Sequence, residues 1–250
     1  ILLTEHLLMK NPIIEGLLNE FKEEYPLPTN VSESDAFEHF INYYIIAKDY
    51  DESNPDIEDI CTGGAGDKGI DGVGLVVNGN LINSQDDVEN FGNLNGYLKV
   101  DFIIIQSKYR SNFDSKEILA FARGIKFLFA FDKNFNANSH LNHKKELIEF
   151  IYEQNLFKDK NPRCKIYYVT TGKWKNDQEI TELIDSIKKE LEDKSIFDEV
   201  LFAPIDAAGI QNIYRSVNNQ MSRTAIYQKF NTELNTHSLW TLCFAEMVSK

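Results

Sequence analysis

The chain has 250 residues, of which 42% are hydrophobic and 26% are charged, a composition typical of a folded globular protein. No run approaches the ~18 to 20 apolar residues of a membrane span, so we expect a soluble protein with no membrane partner. The three cysteines, Cys61, Cys164 and Cys243, are far apart and odd in number, which argues against a disulfide framework or a clustered thiolate metal site. Because the first residues do not form a secretory signal pattern, we expect a reducing, cytoplasmic location.

Charge is unevenly distributed along the chain. The net charge of -13 disfavours nucleic-acid binding at first sight, because such proteins usually neutralise phosphates with Lys and Arg. Residues 1–60 carry 14 acidic and 3 basic side chains, whereas residues 97–126 carry 3 acidic and 6 basic ones. The basic stretch is therefore the place to look for a polyanion site.

The first 50 residues have the pattern of helices. Apolar residues recur at roughly helical spacing over 2–24 with a break at Pro12, which predicts two short helices. A helix start at 32–35 is followed by an amphipathic helix. Its predicted buried stripe consists of Phe37, Phe40, Ile41, Tyr44 and Ile45.

The middle of the chain has the pattern of a hairpin and a buried strand. A polar, glycine-rich loop at 54–68 leads into two apolar runs that are separated by Asn78-Gly79, the strongest short hairpin signal. After a second polar loop, residues 98–108 have a central run that is apolar on both sides. Such a strand is typical of the interior of a sheet that is covered on both faces.

The remaining elements alternate between helices and strands. Asp114 begins a helix, and the elements predicted after it are a helix at 141–156, a strand at 165–169, a helix at 180–191 and a strand at 199–203. This order predicts an α/β fold with a central mixed β-sheet flanked by helices on both faces. From about residue 213 the chain is polar, with an apolar cluster at 239–244 for which we identify no partner.

Polar side chains end the buried strand and begin the hairpin. Gln106 and Lys108 project from one face of the strand, because strand side chains alternate. Taken alone, this is a strand that emerges into solvent, and Asp71 alone is an ordinary turn residue. If Asp71 lies beside the strand end, a carboxylate, an amide oxygen and an ammonium group converge. That combination suits Mg²⁺ and the charge of a phosphoryl transition state.

Other candidate residues are less specific. Glu38 lies on the flank of the apolar stripe of its helix and could reach the same site, although alone it is an ordinary solvated acid. His140 and His143 have metal-like spacing but lack a suitably placed acid, so we interpret them as a surface pair. The glycines at 63–69 precede a strand, which is the wrong context for a dinucleotide site. No arrangement of Ser, Cys and His suggests covalent catalysis.

These motifs together resemble a known family. Phe37-Glu38 on a helix, the run Gly66 to Gly72 that reads GDKGIDG, and Ile105-Gln106-Ser107-Lys108 before a helix look like the PD-(D/E)xK nuclease superfamily in its Mrr-like form. The whole chain most resembles the N-terminal nuclease region of abortive infection phage resistance (AIPR) proteins. The resemblance implies a restriction-endonuclease-like core. It divides the chain into an N-terminal helical extension at 1–30, the nuclease-like domain at 31–212, and a tail or the start of a further domain at 213–250.

The resemblance also implies roles for individual residues. Asp71 would be the main metal-binding carboxylate, Gln106 the second metal-side group, and Lys108 the residue that positions water or stabilises charge. Glu38 would be an additional acid, and Ser107 would contribute its backbone carbonyl. The implied cofactor is Mg²⁺, with Mn²⁺ as a substitute. Beside this site, we expect the phosphate contacts to come from Tyr109, Arg110 and Lys116.

The expected function is therefore a metal-dependent endonuclease that hydrolyses phosphodiester bonds of DNA in bacterial defence against phage. A homodimer is compatible with this expectation. Two alternatives stay open. The Gln106 amide, where the family pattern has an acid, and the acidic composition would also fit a binding or assembly module that keeps the nuclease-like core without effective catalysis. The third reading is a nuclease that acts on RNA.

Overall fold

The computed structural model describes residues 11–28, 30–49, 55–131, 136–158 and 160–221. Their strands form one mixed sheet in the order β2-β1-β3-β4-β5. The strands are β1 Gly72–Val77, β2 Asn80–Leu81, β3 Val100–Lys108, β4 Arg163–Thr170 and β5 Glu199–Ile205. The pairs of β1 with β2 and with β3 are antiparallel, whereas β3, β4 and β5 run parallel.

Helices cover both faces of this sheet. They are α1 Pro12–Glu24, α2 Glu33–Asp49, α3 Gln85–Asn95, α4 Ser115–Leu128, α5 Ser139–Glu153, α6 Gln178–Glu192 and α7 over residues 207–221. One core lies between the sheet and the helices α3 to α6, and a second core lies between the opposite face and α1, α2 and α7. The predicted α/β architecture with a covered mixed sheet is thus confirmed.

Strand β3 occupies the middle of the sheet, as its two-sided apolar pattern predicts. Ile103 and Ile105 face the core under α2, whereas Phe102 and Ile104 face the core under α4. Burial of alternate side chains against opposite layers explains why the run has no polar face. Beyond this apolar run, the carboxyl end of β3 carries the polar side chains of Gln106, Ser107 and Lys108.

The turn between β1 and β2 has the predicted hairpin conformation. Asn78 and Gly79 both have positive φ, 51° and 86°, as a two-residue turn between twisted strands requires. Gly79 adopts this conformation without strain, and Asn is one of the few other residues that tolerate it.

One sequence-based interpretation was wrong, and one helix was not predicted. The region at 85–95, read as part of a polar loop, is the helix α3, which begins with a capping box between Ser84 and Asp87. Only Val88 and Gly92 of this helix are buried, so its apolar periodicity is weak. The polar stretch from residue 213 continues α7 as far as residue 221, where Ile213 and Val217 pack against the sheet.

The remaining predicted elements have the expected type with bounds that differ by a few residues. Helix α1 packs Ile14, Leu18 and Phe21 into the same core as α2. The first predicted short helix and the apolar cluster at 239–244 lie outside the described residues. Within the described part of the chain, no helix is both long and apolar enough to span a bilayer.

Candidate active site

Asp71 stands where the glycine-rich loop joins the sheet. Its amide donates to the carbonyl of Ile105 at 2.9 Å, although the Cα of Ile105 pairs with Gly72. Two residues of the incoming chain thus oppose one residue of β3, which is the arrangement of a β-bulge. On the other side, Thr62 donates its amide to the Asp71 carbonyl at 3.1 Å. Asp71 is therefore held by backbone contacts on both sides.

The Asp71 carboxylate is turned toward the end of β3. Its Oδ2 accepts a hydrogen bond from the Ser107 amide at 2.7 Å and lies 3.5 Å from the Lys108 Nζ. Because β1 begins only at Gly72, the Ser107 amide projects beyond the paired strand, and the carboxylate replaces the missing strand partner. Both contacts fall on Oδ2, so Oδ1 is the oxygen that is available to a ligand.

Gln106, which precedes Ser107 in β3, has a buried amide at the same end of this strand. Only 4% of the residue is exposed, and its Oε1 has no hydrogen-bond partner among the described residues. Its Nε2 lies over Gly69, where a β-carbon would come within 3.1 Å of it. Gly69 also has a positive φ of 75°. Glycine is therefore needed here both for the backbone conformation and for the close approach of Gln106. A buried acceptor without a donor is unusual in a folded protein and marks a site that a ligand can satisfy.

Glu38 reaches the site from helix α2. Its Oε2 lies over Gly63, at 2.9 Å from the position of a β-carbon there. Glu38, Asp71, Gly63 and Gly64 line a common cleft of about 530 Å³. Gly63 thus makes room for the Glu38 carboxylate.

Burial raises the pKa of both carboxylates. Burial, then the charge of Asp71, raises the pKa of Glu38 to about 8, against a smaller opposing effect of Lys108. Burial raises the pKa of Asp71 to about 6, although Lys108 and the Ser107 amide act in the opposite direction. Neither carboxyl group therefore has enough positive charge around it to offset its burial. A bound cation would supply that charge and favour the ionised forms.

Among the sequence-predicted metal residues, Ser107 contacts Asp71 directly, and Glu38 lines the same cleft as Asp71. Gln106 lies at the same end of β3, with its side chain over Gly69. Among the residues that the structure describes, no group of three or more His, Cys, Asp or Glu side chains is arranged to hold a metal ion. A cation here would therefore depend on the two carboxylates together with amide and main-chain oxygens. That donor set is typical of a hard cation such as Mg²⁺, which binds oxygen and keeps several waters. The Gln106 Oε1, which has no hydrogen-bond partner among the described residues, is an oxygen ligand of the kind that Mg²⁺ binds.

The three predicted nucleic-acid residues have different surroundings. Tyr109 packs its ring 4.9 Å from that of Phe37. Arg110 pairs with Glu117, which also accepts a hydrogen bond from the Tyr168 hydroxyl at 3.0 Å. Lys116 is exposed in the first turn of α4. The charge of Arg110 is thus partly neutralised within the chain, whereas that of Lys116 faces solvent.

Sequence reasoning missed two asparagines that hold the site together. Asn42, which is fully buried, donates Nδ2 to the Asp71 carbonyl at 3.0 Å. Asn138 donates Nδ2 to the Thr62 carbonyl at 2.8 Å and ties the loop to the start of α5. A polar residue inside the apolar run at 40–46 was an available signal for Asn42. No local pattern indicated Asn138, because its partner is 76 residues away.

A cysteine and a histidine line the same cleft. Cys61 Sγ lies 3.0 Å from His39 Nδ1 and 3.4 Å from Asn42 Nδ2. Burial raises the pKa of the Cys61 thiol to about 12, so the free thiol is protonated at neutral pH and is a poor nucleophile.

Comparison with known proteins adds no relative. No family model, no curated protein and no solved structure matches the chain. Inference about its function therefore depends on the site itself.

Proposed function

We propose that the protein is a metal-dependent endonuclease that hydrolyses phosphodiester bonds, with DNA as the first substrate to test. The observation that carries this proposal is the cluster at the end of β3. There, the buried Asp71 carboxylate lies 3.5 Å from the Lys108 ammonium group. At the same end of β3, the buried Oε1 of Gln106 has no hydrogen-bond partner among the described residues. The mixed sheet with its covered faces supports a restriction-endonuclease-like core, as does the position of this cluster at the end of the central strand.

The residues of the cluster have separate roles in this proposal. Asp71 Oδ1, Gln106 Oε1, Glu38 and the Ser107 carbonyl would hold Mg²⁺, or Mn²⁺ in its place. When bound, such an ion polarises a phosphoryl oxygen and lowers the pKa of bound water. Lys108 supplies a fixed positive charge beside Asp71, where it can orient the attacking water or stabilise the charge of the transition state.

Glu38 adds a proton-holding group. Its raised pKa means that its carboxyl carries a proton at neutral pH until positive charge enters the cleft. Ion binding would therefore release this proton, and the carboxylate could then contact the ion or a water. Gln106 contributes one neutral oxygen, so the site neutralises less of the ion's charge than an all-carboxylate site does.

Contacts with the nucleic-acid backbone are proposed for the surface that follows β3. Tyr109, Arg110 and Lys116 lie next to the cluster in the chain and belong to the basic stretch at 97–126. Phosphate contacts there would position the backbone without reading the base sequence. A role in bacterial defence against phage is the biological setting that the sequence resemblance suggests for such an enzyme.

A module without effective catalysis is the second candidate. The specific observation in its favour is that the proposed ligand set contains two carboxylates, Asp71 and Glu38, and a neutral amide in Gln106. Such a module would keep nucleic-acid binding and lose cleavage. An RNA-directed nuclease is a third candidate, which the same chemistry permits.

A cleavage assay on the purified chain tests the proposal. Supercoiled plasmid, single-stranded DNA and single-stranded RNA are each incubated with Mg²⁺ or Mn²⁺ and, in parallel, with a chelator. We expect metal-dependent nicking that is lost in Asp71→Asn and Lys108→Met and kept in the exposed control Asp185→Asn. Cleavage that survives in Asp71→Asn would contradict the proposal. Binding of nucleic acid without cleavage in any metal would favour the inactive module.

A further inference from the structure

The cleft contains a second pair of ligating side chains that the proposed nuclease chemistry does not use. Cys61 Sγ and His39 Nδ1 lie 3.0 Å apart, and both residues line the cleft that also holds Glu38 and Asp71. The position of Cys61 is set by a bridge in which it pairs with Gly72, the residue after Asp71. His39 directly follows Glu38 in α2. Two independent backbone elements thus bring a thiol and an imidazole together.

Asn42 completes the surroundings of the sulfur. It is fully buried in α2, and its Nδ2 lies 3.4 Å from Cys61 Sγ. An N–H donor directed at sulfur stabilises the negative charge that a coordinating thiolate carries, as outer-shell hydrogen bonds do in metal sites. The same Nδ2 also donates to the Asp71 carbonyl.

We propose that Cys61 and His39 bind a thiophilic divalent cation, Zn²⁺ in the first place, with water in the remaining positions. Sulfur and imidazole nitrogen are the ligands that Zn²⁺ prefers, whereas the oxygen donors around Asp71 suit a hard cation. Tetrahedral Zn²⁺ with ligands at about 2.3 Å and about 2.1 Å places sulfur and nitrogen about 3.6 Å apart. The pair must therefore open by about 0.6 Å from its present separation, which small side-chain rotations allow.

We expect the ion to bind reversibly, because Cys61 and His39 are the only protein ligands in the proposed site. The described residues contain no third His, Cys, Asp or Glu that joins the pair in a metal-holding group. Binding forms a bond from the thiolate to the ion and releases the thiol proton to water, so the charge balances without any oxidant. We expect weaker affinity than in a closed site with four protein ligands.

Occupancy of this site has a consequence for the candidate active site. Because Asn42 contacts both the sulfur and the Asp71 carbonyl, displacement of Cys61 should disturb the backbone that carries Asp71. A second cation in the same cleft also repels Mg²⁺. We infer that Zn²⁺ inhibits Mg²⁺-dependent cleavage, an inference that rests on the proposed function, whereas the binding itself does not.

Cobalt spectroscopy tests the binding directly on the full chain. Co²⁺ replaces Zn²⁺ and gives a near-ultraviolet thiolate-to-cobalt charge-transfer band only when a cysteine sulfur is bound. We expect a band that Zn²⁺ abolishes, that Cys61→Ser lacks and that His39→Gln weakens. The matched controls Cys164→Ala and Cys243→Ser should keep it. A wild-type chain without the band, a band that survives Cys61→Ser, or a band lost in Cys243→Ser would overturn the proposal.

A second measurement on the wild-type chain avoids dependence on a variant that fails to fold. The alkylation rate of each cysteine is followed by peptide mass spectrometry with and without Zn²⁺. We expect Zn²⁺ to slow alkylation of Cys61 at least tenfold. An unchanged rate at Cys61 would overturn the proposal. If no cleavage occurs under any condition, the proposed nuclease function fails, while the cobalt band and the alkylation rate still decide whether this site exists.

Discussion

The amide of Ser107 donates a 2.7 Å hydrogen bond to the carboxylate of Asp71, which is 36 residues away in the chain. The contact gives Asp71 a structural role in addition to its proposed chemical one, because it satisfies an amide that the end of β1 leaves without a strand partner. Any test of Asp71 must therefore separate loss of charge from loss of this bond.

Asp71→Asn and Asp71→Ala should differ in stability and agree in activity. The asparagine oxygen can still accept the Ser107 hydrogen bond, whereas alanine leaves a buried amide unsatisfied at a cost of about 1 to 3 kcal/mol. Both substitutions remove the negative charge, so both should reduce Mg²⁺-dependent cleavage by about 10²-fold or more. Urea unfolding and plasmid nicking measure the two effects. Equal stability of the two variants would mean that the hydrogen bond contributes little.

Gln106→Glu should tighten binding of the proposed ion. Gln and Glu have nearly the same size, and a carboxylate neutralises cation charge that an amide does not. We expect the variant to require less Mg²⁺ for half-maximal cleavage, or to gain cleavage if the parent chain has none. Calorimetry of Mg²⁺ binding provides the measurement, with Gln178→Glu at the start of α6 as a control. An unchanged affinity would show that Gln106 does not face the ion.

Stability should fall as pH rises through the neutral range, because of Glu38. A carboxyl whose pKa is raised to about 8 in the folded protein binds its proton more tightly there than in the unfolded chain. The folded state thus holds more protons between the ordinary pKa and about pH 8, and the free energy of unfolding decreases with pH in that window. Glu38→Gln should flatten this slope, and the exposed control Glu146→Gln should not. If the free energy of unfolding of Glu38→Gln still decreases with pH in this window, another titrating group causes the decrease.

The affinity for Mg²⁺ should rise with pH over the same range. The ion favours the ionised forms of Asp71 and Glu38, whose raised pKa values of about 6 and about 8 leave protons to be displaced near neutrality. Calorimetry in buffers of different ionisation enthalpy counts the released protons. An affinity that does not change between about pH 6 and pH 8 would contradict this linkage.

Lys116→Ala should weaken nucleic-acid binding through the phosphate backbone. For duplex DNA, the slope of log K against log salt should decrease in magnitude by about 0.9 for each phosphate contact that is lost. Lys160→Ala is the matched control, because its exposed side chain lies before β4 at the opposite end of the sheet. Fluorescence anisotropy at several salt concentrations gives the slopes. Equal salt-dependence slopes for the two variants would mean that the first turn of α4 does not contact the nucleic-acid backbone.

Gly124→Ala should destabilise the protein although alanine is the better helix former. A β-carbon at Gly124 would overlap the Lys68 carbonyl, because α4 packs directly on the glycine-rich loop. The clash should outweigh the helix preference of about 1 kcal/mol and cost about 1 to 3 kcal/mol in net stability. Gly16→Ala in α1, where a β-carbon has no neighbour within 4 Å, should instead stabilise by up to about 1 kcal/mol. Chemical unfolding compares the two variants.

Local patterns were sufficient for the elements whose periodicity or turn chemistry is strong. The apolar run of β3, the Asn78-Gly79 turn and the stripe of α2 all predicted their structure, because each depends on neighbours within a few residues. Helix α3 was missed because its capping box, rather than an apolar stripe, defines it. The polar ends of β1 and β3 also identified Asp71, Gln106 and Lys108 as candidates before any contact was known.

The contact between Asp71 and Lys108 was decided only by the tertiary structure. Whether Asp71 lies beside the end of β3 depends on the antiparallel register of β1 with β3, and a register is a property of two segments rather than of either one. The burial that raises the pKa of Glu38 comes from the packing of α2 over the loop, and the pairing of Cys61 with His39 joins residues that are 22 positions apart. The sequence by itself determined the type and approximate position of the elements with strong periodicity or turn chemistry, because these follow from local preference. Distances, burial and charge coupling arise from packing between distant segments, which no local pattern encodes.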